Sequence, residues 1–198
     1  MGDPRKLRKK YSGPSHPWNK ERIDDEKILQ KEFGFKNKKE LWKSSTLLTT
    51  FGKQAKKLTI LKSEQANIEK KQLLDRLHNM GLLNKGAQLE DVLTITLRNV
   101  LERRLQALVL KQGLARSINQ ARQFITHNHV TVDGKVITSP SYLISIGEEN
   151  RIAFSAKSEL SSADHPERAV EVKKSESKTS KPTEKSSEKE KKVTKKND

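Results

Sequence analysis

Apolar residues repeat every three or four positions between Thr96 and Lys111, which predicts one amphipathic helix across this stretch. The apolar stripe consists of Leu97, Leu101, Leu105, Leu108 and Val109. Gly113 should end the helix, because glycine accepts the left-handed conformation that a helix C-terminus favours. A short loop then leads to a second apolar run.

The second run predicts another helix, which begins at Ser117. Gln120 follows three residues later, and this spacing is typical of a capping box. The predicted buried face consists of Ile118, Ala121, Phe124 and Ile125. The helix should end at His127-Asn128, because asparagine tolerates positive φ better than most residues.

Alternating apolar and polar positions follow this second helix. The residues on either side of Asp133-Gly134 alternate in this way, which is the strongest short-range signal of a β-hairpin. Two more short strands are predicted at 140–144 and 151–154, joined by a turn at 147–150. Residues 96–157 are therefore predicted to form two helices packed on a small, mostly antiparallel sheet, and the fold class is α+β.

Residues 21–95 carry helical spacing as well, and we predict a helical domain there. Its three main helices should begin near Glu21, Asn37 and Ser63. Gly52 weakens the prediction that the second of them is unbroken, because glycine is a poor helix former. A short helical turn is expected at Leu89–Leu93 before Thr96 caps the next helix.

The two ends of the chain lack such patterns. Residues 1–20, MGDPRKLRKKYSGPSHPWNK, combine basic clusters with three prolines, so we expect an extended arm that becomes ordered only against a partner. Its aromatic residues alternate with cations, which suits RNA bases, although a loose basic tail has the same composition. Residues 158–198 are rich in Lys, Ser and Glu, so we predict disorder there and expect truncation after Lys157 to leave the fold intact.

Charge and composition restrict the class of protein. The 198 residues include 41 Lys and Arg against 25 Asp and Glu, and the net charge of +16 favours a polyanion as partner. The absence of cysteine excludes disulfides and cysteine-bound metal, and it agrees with a reducing, cytoplasmic location. No apolar run reaches membrane-spanning length, and no secretory signal opens the chain, so no membrane partner is expected.

Long polar side chains remain on the surface that the packing of residues 96–157 leaves over. They are Arg103, Arg104, Lys111, Arg116, Ser117, Gln120, Arg122, Gln123, His127 and Lys135. A helix N-terminus with guanidinium groups beside it is well suited to bind a nucleic-acid backbone. The arm adds Arg5, Lys6, Arg8, Lys9, Lys10, Tyr11, His16 and Trp18. The alternative interpretation of both sets is a solvated basic surface.

The run RRLQALVLKQGLARSINQARQFITHNHVTVDGKVITSPSY resembles the small RNA-binding module of the ribosomal protein four family. The opening GDP…RKKY…HPW and the run NKKELW resemble the archaeal and eukaryotic members, so the resemblance covers about residues 1–154. Two positions depart from the pattern. Asn128 stands where many members have glycine, and Ile118 stands where bacterial members have a basic residue, the charge here being at Arg116.

The resemblance implies a primary binder of small-subunit ribosomal RNA that nucleates assembly of the subunit body. It also implies contact with ribosomal protein five and a contribution to translational accuracy. Two alternatives carry the same module, namely an RNA-modifying enzyme and a ribosome-assembly factor. The sequence lacks a phosphate-binding glycine loop, a nucleophile elbow and a metal-spaced cluster, so we expect no enzyme, cofactor, metal or small-molecule substrate.

Overall fold

The computed structural model describes residues 9–162 and 165–167, so Arg5, Lys6, Arg8 and most of the predicted C-terminal tail lie outside the described residues. The elements of the described part are α1 (Lys20–Phe33), α2 (Lys38–Ile60), α3 (Glu64–Asn79), α4 (Leu89–Thr94), α5 (Leu97–Glu102), α6 (Leu105–Lys111), α7 (Ile118–Thr126), β1 (Val130–Val132), β2 (Lys135–Val136), α8 (Ile146–Glu149) and β3 (Ile152–Phe154). A short 3-10 helix follows at Glu159–Ser161. The α+β class is confirmed.

Capping side chains fix the starts of α1 and α3. Asn19 Oδ1 accepts a hydrogen bond from the Arg22 amide at 3.1 Å, and Ser63 Oγ accepts one from the Ala66 amide at 3.2 Å. Each bond satisfies an amide that has no partner inside its helix. Gly34 ends α1 with φ at +60°, the left-handed conformation in which a Cβ is strained. The predicted helix starts near Glu21 and at Ser63 are confirmed, whereas the sequence analysis did not identify Asn19 as a cap.

Helix α2 runs through Gly52 without a break, so the doubt that this glycine raised was unfounded. Phe51 and Ala55, on either side of it, are each only 1% exposed. Burial of one whole side of the helix offsets the cost of about 1 kcal/mol that glycine carries in a helix interior.

The single helix predicted from residue 96 to 111 is wrong, because the structure has two helices there. Arg104 separates α5 from α6 in an extended conformation, with φ −74° and ψ 144°. The segment predicted as a strand at 140–144 accounts for the break: Leu143 forms a β-bridge with Arg104, and the Leu105 amide donates to the Tyr142 carbonyl at 2.8 Å. This segment is therefore one bridge rather than a full strand.

The sheet has the order β2-β1-β3, and both pairings are antiparallel. Asp133 and Gly134 have φ of 52° and 76°, the two positive values that a tight type I′ hairpin requires, so the predicted hairpin is confirmed. The turn predicted before β3 is instead the one-turn helix α8. Its start is capped reciprocally, since the Ser145 amide donates to Glu148 Oε2 at 3.0 Å.

A compact apolar core lies between α6, α7 and the sheet. Its fully buried members include Leu105, Val109, Ala121, Ile125, Val130 and Ile144. Leu160, which follows the predicted module, is only 4% exposed and belongs to the same core. Residues 158–162 therefore do not belong to a segment without core contacts, and the premise that truncation after Lys157 removes no core residue is wrong. Leu160 belongs to the 3-10 helix at Glu159–Ser161. The start of this helix is capped by Ser158 Oγ, which accepts a hydrogen bond from the Leu160 amide.

The cores on the two sides of residue 95 interlock. Val100 of α5 packs with Phe51, Leu77 and other residues of α2 to α4, while Leu101 packs with Phe33 and Phe35. The predicted domain boundary at residue 95 therefore stays a prediction. The apolar packing continues across that position.

Candidate nucleic-acid interface

The carboxylate of Glu40, in the first turn of α2, joins two arginines from the predicted RNA-binding set. Arg122 Nη2 lies 2.7 Å from Glu40 Oε1, and Arg122 Nη1 lies 3.2 Å from Oε2, so the pair is bidentate. Arg104 Nη2 lies 2.9 Å from the same Oε2. The Arg104 guanidinium also lies over the ring of Phe35, 4.5 Å from its centroid.

This arrangement removes Arg104 from the surface. Its exposure is 2%, so the expectation that it lies on an exposed basic face is wrong. The helical periodicity that placed it there fails because the helix breaks at this residue. Arg122 retains 22% side-chain exposure, but its guanidinium already grips Glu40 and the Gly34 carbonyl. Both side chains tie α2 to the module.

The pKa of Glu40 reflects these contacts. Burial raises the pKa of the carboxyl, but the hydrogen bonds and charges of Arg122 and Arg104 outweigh burial and hold it below its usual value. For Arg104, burial disfavours the charged guanidinium and lowers its pKa, although the hydrogen bond to Glu40 opposes this change. Glu40 is therefore ionised at neutral pH.

Arg103 is also held within the protein. Its Nη1 lies 2.7 Å from Glu149 Oε2, and its Nη2 donates to the Ile144 carbonyl at 3.1 Å. The guanidinium lies against Gly81, where an added Cβ would be 2.8 Å from Arg103 Cζ. Arg103 thus joins the end of α3 to α8, and its predicted contact with RNA stays a prediction.

The N-terminus of α7 keeps the exposed part of the predicted set. Ser117 Oγ accepts from the Gln120 amide at 3.2 Å, as the capping box predicts. The reciprocal bond differs, because Gln120 Oε1 accepts from the Arg116 amide at 2.7 Å rather than from Ser117. Arg116 and Ser117 are exposed, and Arg116 Nη2 donates to the Pro166 carbonyl. A segment beyond the module therefore lies against this N-terminus.

A cleft of about 680 Å³ adjoins the other end of α7, and two predicted residues, Gln123 and His127, line it. Asn128, with φ at +66°, turns the chain there, which confirms its predicted left-handed conformation. Lys111 and Lys135 are exposed on α6 and β2, and no described contact joins them to α7. Among residues 9–162 and 165–167, no group of His, Asp and Glu side chains is arranged to hold a metal ion.

The described part of the arm lies on α1 and α2. The Tyr11 ring is 6.0 Å from the Trp42 ring, and the Ser12 amide donates to Thr46 Oγ1 at 2.9 Å. Arg22 holds the next stretch by donating to the Pro17 carbonyl at 2.8 Å. The sequence did not reveal these anchors, because an isolated Thr or Trp on a helix gives no signal of what covers it.

Other side chains of the described arm are exposed to solvent. Trp18 is 91% exposed, and Lys9, Lys10 and His16 are exposed as well. Aromatic rings and cations side by side on an open surface suit stacking on bases and pairing with phosphates. No helix in the described part of the chain combines the length and apolar character needed to cross a membrane.

Comparison with known proteins agrees with this geometry. The S4 domain family matches residues 103–150, which places the chain in the class of S4-domain proteins. Over 154 residues, the chain is 49% identical to small ribosomal subunit protein uS4 of Methanothermobacter thermautotrophicus, covering 78% of this chain and 90% of that relative. The uS4 protein of Methanococcus aeolicus is 49% identical over 177 residues, covering 89% of this chain and 100% of the relative.

A third relative, uS4 of Sulfolobus acidocaldarius, is 48% identical over 155 residues, covering 78% of this chain and 88% of the relative. The chain belongs to the uS4 family of small ribosomal subunit proteins. The predicted resemblance to the ribosomal protein four family is thereby confirmed.

Proposed function

We propose that this protein is a structural constituent of the small ribosomal subunit, in the cytoplasm, and binds the ribosomal RNA of that subunit. The observation that carries the proposal is its 48–49% identity to three uS4 proteins over 78–89% of the chain. The match extends beyond the S4 domain at residues 103–150 into the helical region, which a protein that had only borrowed the module would not share.

The finer role is also a proposal. The protein would bind the RNA early, nucleate assembly of the subunit body and contribute to translational accuracy, with ribosomal protein five as a neighbour. We propose no catalytic activity, cofactor or small-molecule substrate. Lys and Arg in excess over acids favour RNA as the main partner, because phosphate neutralisation supplies most of the affinity of such proteins.

We propose that the phosphate contacts of the module come from its exposed groups. These are Lys111, Arg116, Ser117, Gln123, His127 and Lys135. Arg104 and Arg122 act indirectly, since their bonds to Glu40 fix the position of α7 relative to α2. The arm, which lies on α1 and α2, would contribute the exposed residues Lys9, Lys10, His16 and Trp18.

Salt titration of RNA binding tests this division. Arg116→Ala should reduce the slope of log affinity against log salt by about 0.9 on duplex-like RNA and leave the melting temperature unchanged. Arg116→Lys should restore only part of the affinity, because a point charge does not reproduce a bidentate guanidinium. Arg122→Ala should chiefly lower the melting temperature. An unchanged slope for Arg116→Ala would place the RNA site elsewhere.

The assembly-factor and modifying-enzyme alternatives predict a different distribution in the cell. A ribosomal constituent should cofractionate with mature small subunits and full ribosomes at one copy per particle. Recovery only with precursor particles would contradict the proposal and favour an assembly factor.

A further inference from the structure

Residues 165–167, here called the strap, lie against the first turn of α7. The Pro166 carbonyl accepts a hydrogen bond from Arg116 Nη2, and the Glu167 carbonyl accepts one from Gln120 Nε2 at 3.4 Å. Two side chains at the start of α7 are therefore bonded to the backbone of a segment that follows the module in the sequence.

The strap also reaches the other end of α7. His165 and Glu167 line the cleft of about 680 Å³ together with Gln123 and His127. Gln120, Gln123 and His127 stand at positions i, i+3 and i+7, a spacing that places them on one face of a helix. The strap thus lies along this face from the first turn of α7 to its end.

The covered face is the one proposed above to bind phosphate. Arg116, Gln123 and His127 belong to the exposed set to which those contacts were given. A carbonyl oxygen accepts hydrogen bonds from the same donors that a phosphate oxygen uses. A phosphate that takes the Nη2 donor of Arg116 must therefore displace the Pro166 carbonyl.

The sequence around the strap is acidic, unlike the chain as a whole. Residues 158–167, SELSSADHPE, contain three acidic residues and no Lys or Arg, whereas the whole chain has a net charge of +16. Negative charge close to a basic surface weakens the attraction of that surface for a polyanion. The stretch therefore has the composition of a competitor for phosphate rather than of an additional phosphate-binding segment.

The contacts of the strap are weak enough to be broken without unfolding the module. Pro166 and Glu167 are exposed, and His165 is partly exposed. In the described part of the chain, the last residue of the apolar core is Leu160, so departure of the strap uncovers no core residue. Two hydrogen bonds of ordinary strength correspond to about a tenfold preference for the bound position.

We propose that the strap is an intramolecular competitor, which covers the phosphate-binding face of α7 in the free protein and is displaced by the ribosomal RNA. The inference rests on the proposed function, because the face is the same. An RNA that displaces the strap loses affinity by the fraction of protein in which the face is covered. Only an RNA that gains further contacts elsewhere on the protein offsets this loss, so the strap disfavours polyanions that meet α7 alone.

The first test loosens the strap in the full chain. The loosened variant carries His165→Gly, Pro166→Gly and Glu167→Gly, because glycine increases the entropy that the segment loses when it is bound. It should bind a transcript of the complete small-subunit ribosomal RNA up to about tenfold more tightly than the unmodified protein. The melting temperature should not change.

The control for this variant is Asp75→Asn. It removes one exposed acid from α3, as Glu167→Gly removes one from the strap. The RNA affinity of Asp75→Asn should equal that of the unmodified protein, because a single distant surface charge is screened by salt.

The second test fixes the strap in place. The chain has no cysteine, so Gln120→Cys with Glu167→Cys supplies two thiols that a short bismaleimide can join. The matched control is the same variant with each thiol capped by a monofunctional maleimide, which adds similar bulk without the tether. The joined form should bind the RNA at least about tenfold more weakly than the capped form, because the strap cannot leave.

The outcomes separate the strap from the proposed function. Equal affinity of the joined and capped forms, or failure of the two thiols to join within one chain, would overturn the strap. Unchanged or weaker RNA binding by the loosened variant would also overturn it. In each of these cases, RNA binding by the unmodified protein leaves the proposed function standing. Absence of RNA binding by the unmodified protein would overturn both.

Discussion

The carboxylate of Glu40 lies between the guanidiniums of Arg104 and Arg122, and the Glu40 side chain is only 20% exposed. Its two oxygens accept three hydrogen bonds from these residues, between 2.7 and 3.2 Å. Arg104 would be a buried, uncompensated cation without this carboxylate, a condition that costs several kcal/mol. The residue thus stabilises the contact between the helical region and the module.

We predict that Glu40→Gln lowers the free energy of unfolding by about 3 kcal/mol at pH 7, because it leaves two guanidiniums without their counter-charge. The folded-state pKa of Glu40 is lowered, so its contribution is complete above the pKa of the unfolded chain. The contribution is lost as the pH falls through the lower folded-state pKa. Denaturant unfolding at a series of pH values should show the variant and the unmodified protein converging in acid.

The matched control is Asp133→Asn, which removes the exposed pair that Asp133 forms with Arg151 at 2.8 Å. Both partners are more than half exposed, so the loss should be below about 1 kcal/mol. A Glu40→Gln cost as small as this control would mean that the buried network contributes nothing net.

Asn128 offers a second test at the level of one residue. Its φ of +66° is strained for most side chains, although asparagine tolerates it. Asn128→Ala should therefore destabilise the protein by about 1–2 kcal/mol, while Asn128→Gly should be close to neutral. Thermal melting of both variants checks the prediction. Equal melting temperatures would indicate that the backbone relaxes at this position.

The contrast between Arg104 and Arg116 shows how far residue roles follow from sequence. Arg104 is predicted inside a helix and Arg116 in the loop before the next one, and the sequence analysis assigns both to the same basic surface. Arg116 is exposed at a helix N-terminus, as expected, whereas Arg104 is buried with its guanidinium over the ring of Phe35. The difference depends on Glu40, which lies 64 residues away from Arg104, and no local pattern reports a contact over that distance.

At the level of elements, local signals were sufficient where they involved backbone conformation. Ser63 and the Asp133-Gly134 turn were predicted correctly because caps and tight turns act within a few residues. The break at Arg104 could not be predicted from periodicity, because the apolar spacing continues through it. It arises from the bridge to Leu143, a tertiary contact that overrides helix propensity.

The short helix after the module permits a prediction about truncation. Leu160 is buried in the core, so truncation after Lys157 should lower the free energy of unfolding by an amount similar to Leu160→Ala, about 2–5 kcal/mol. A chain that ends after Glu167 should melt like the full protein, since it retains every core residue described. Thermal melting of the three variants checks this prediction. Equal stability of the chain that ends after Lys157 and the chain that ends after Glu167 would contradict it.

The chain that ends after Glu167 also keeps the segment that lies against the N-terminus of α7. Pro166 and Glu167 accept hydrogen bonds from Arg116 and Gln120, at the surface proposed for phosphate. The two truncations therefore differ in stability and in what covers this surface. Comparison of their RNA affinities should be made with the folded fraction measured in each case.

At the level of the whole molecule, the arm covers the surface between α1 and α2. We predict that Tyr11→Ala increases the rate of trypsin cleavage at Lys9 and Lys10 in the protein without RNA, because Tyr11 packs on Trp42 and anchors the arm. The control is Trp18→Ala, which removes a 91% exposed ring and should leave the rate unchanged. Mass spectrometry of a digestion time course measures both rates. Equal cleavage of the Tyr11→Ala variant and the unmodified protein would show that the ring contact does not restrain the arm.

The contacts of Glu40 also determine the order in which the chain can complete its fold during synthesis. Arg104 and Arg122 follow Glu40 by 64 and 82 residues, so α2 leaves the translating ribosome long before its partners exist. At 5–20 residues per second, the delay before Arg122 is made is roughly 4–16 s. The lysines of α2 are made before Arg104, so for part of this interval Glu40 lacks both arginines that bind it in the folded protein. The helical region is therefore synthesised with its excess of positive charge before the module whose arginines complete the fold has been made.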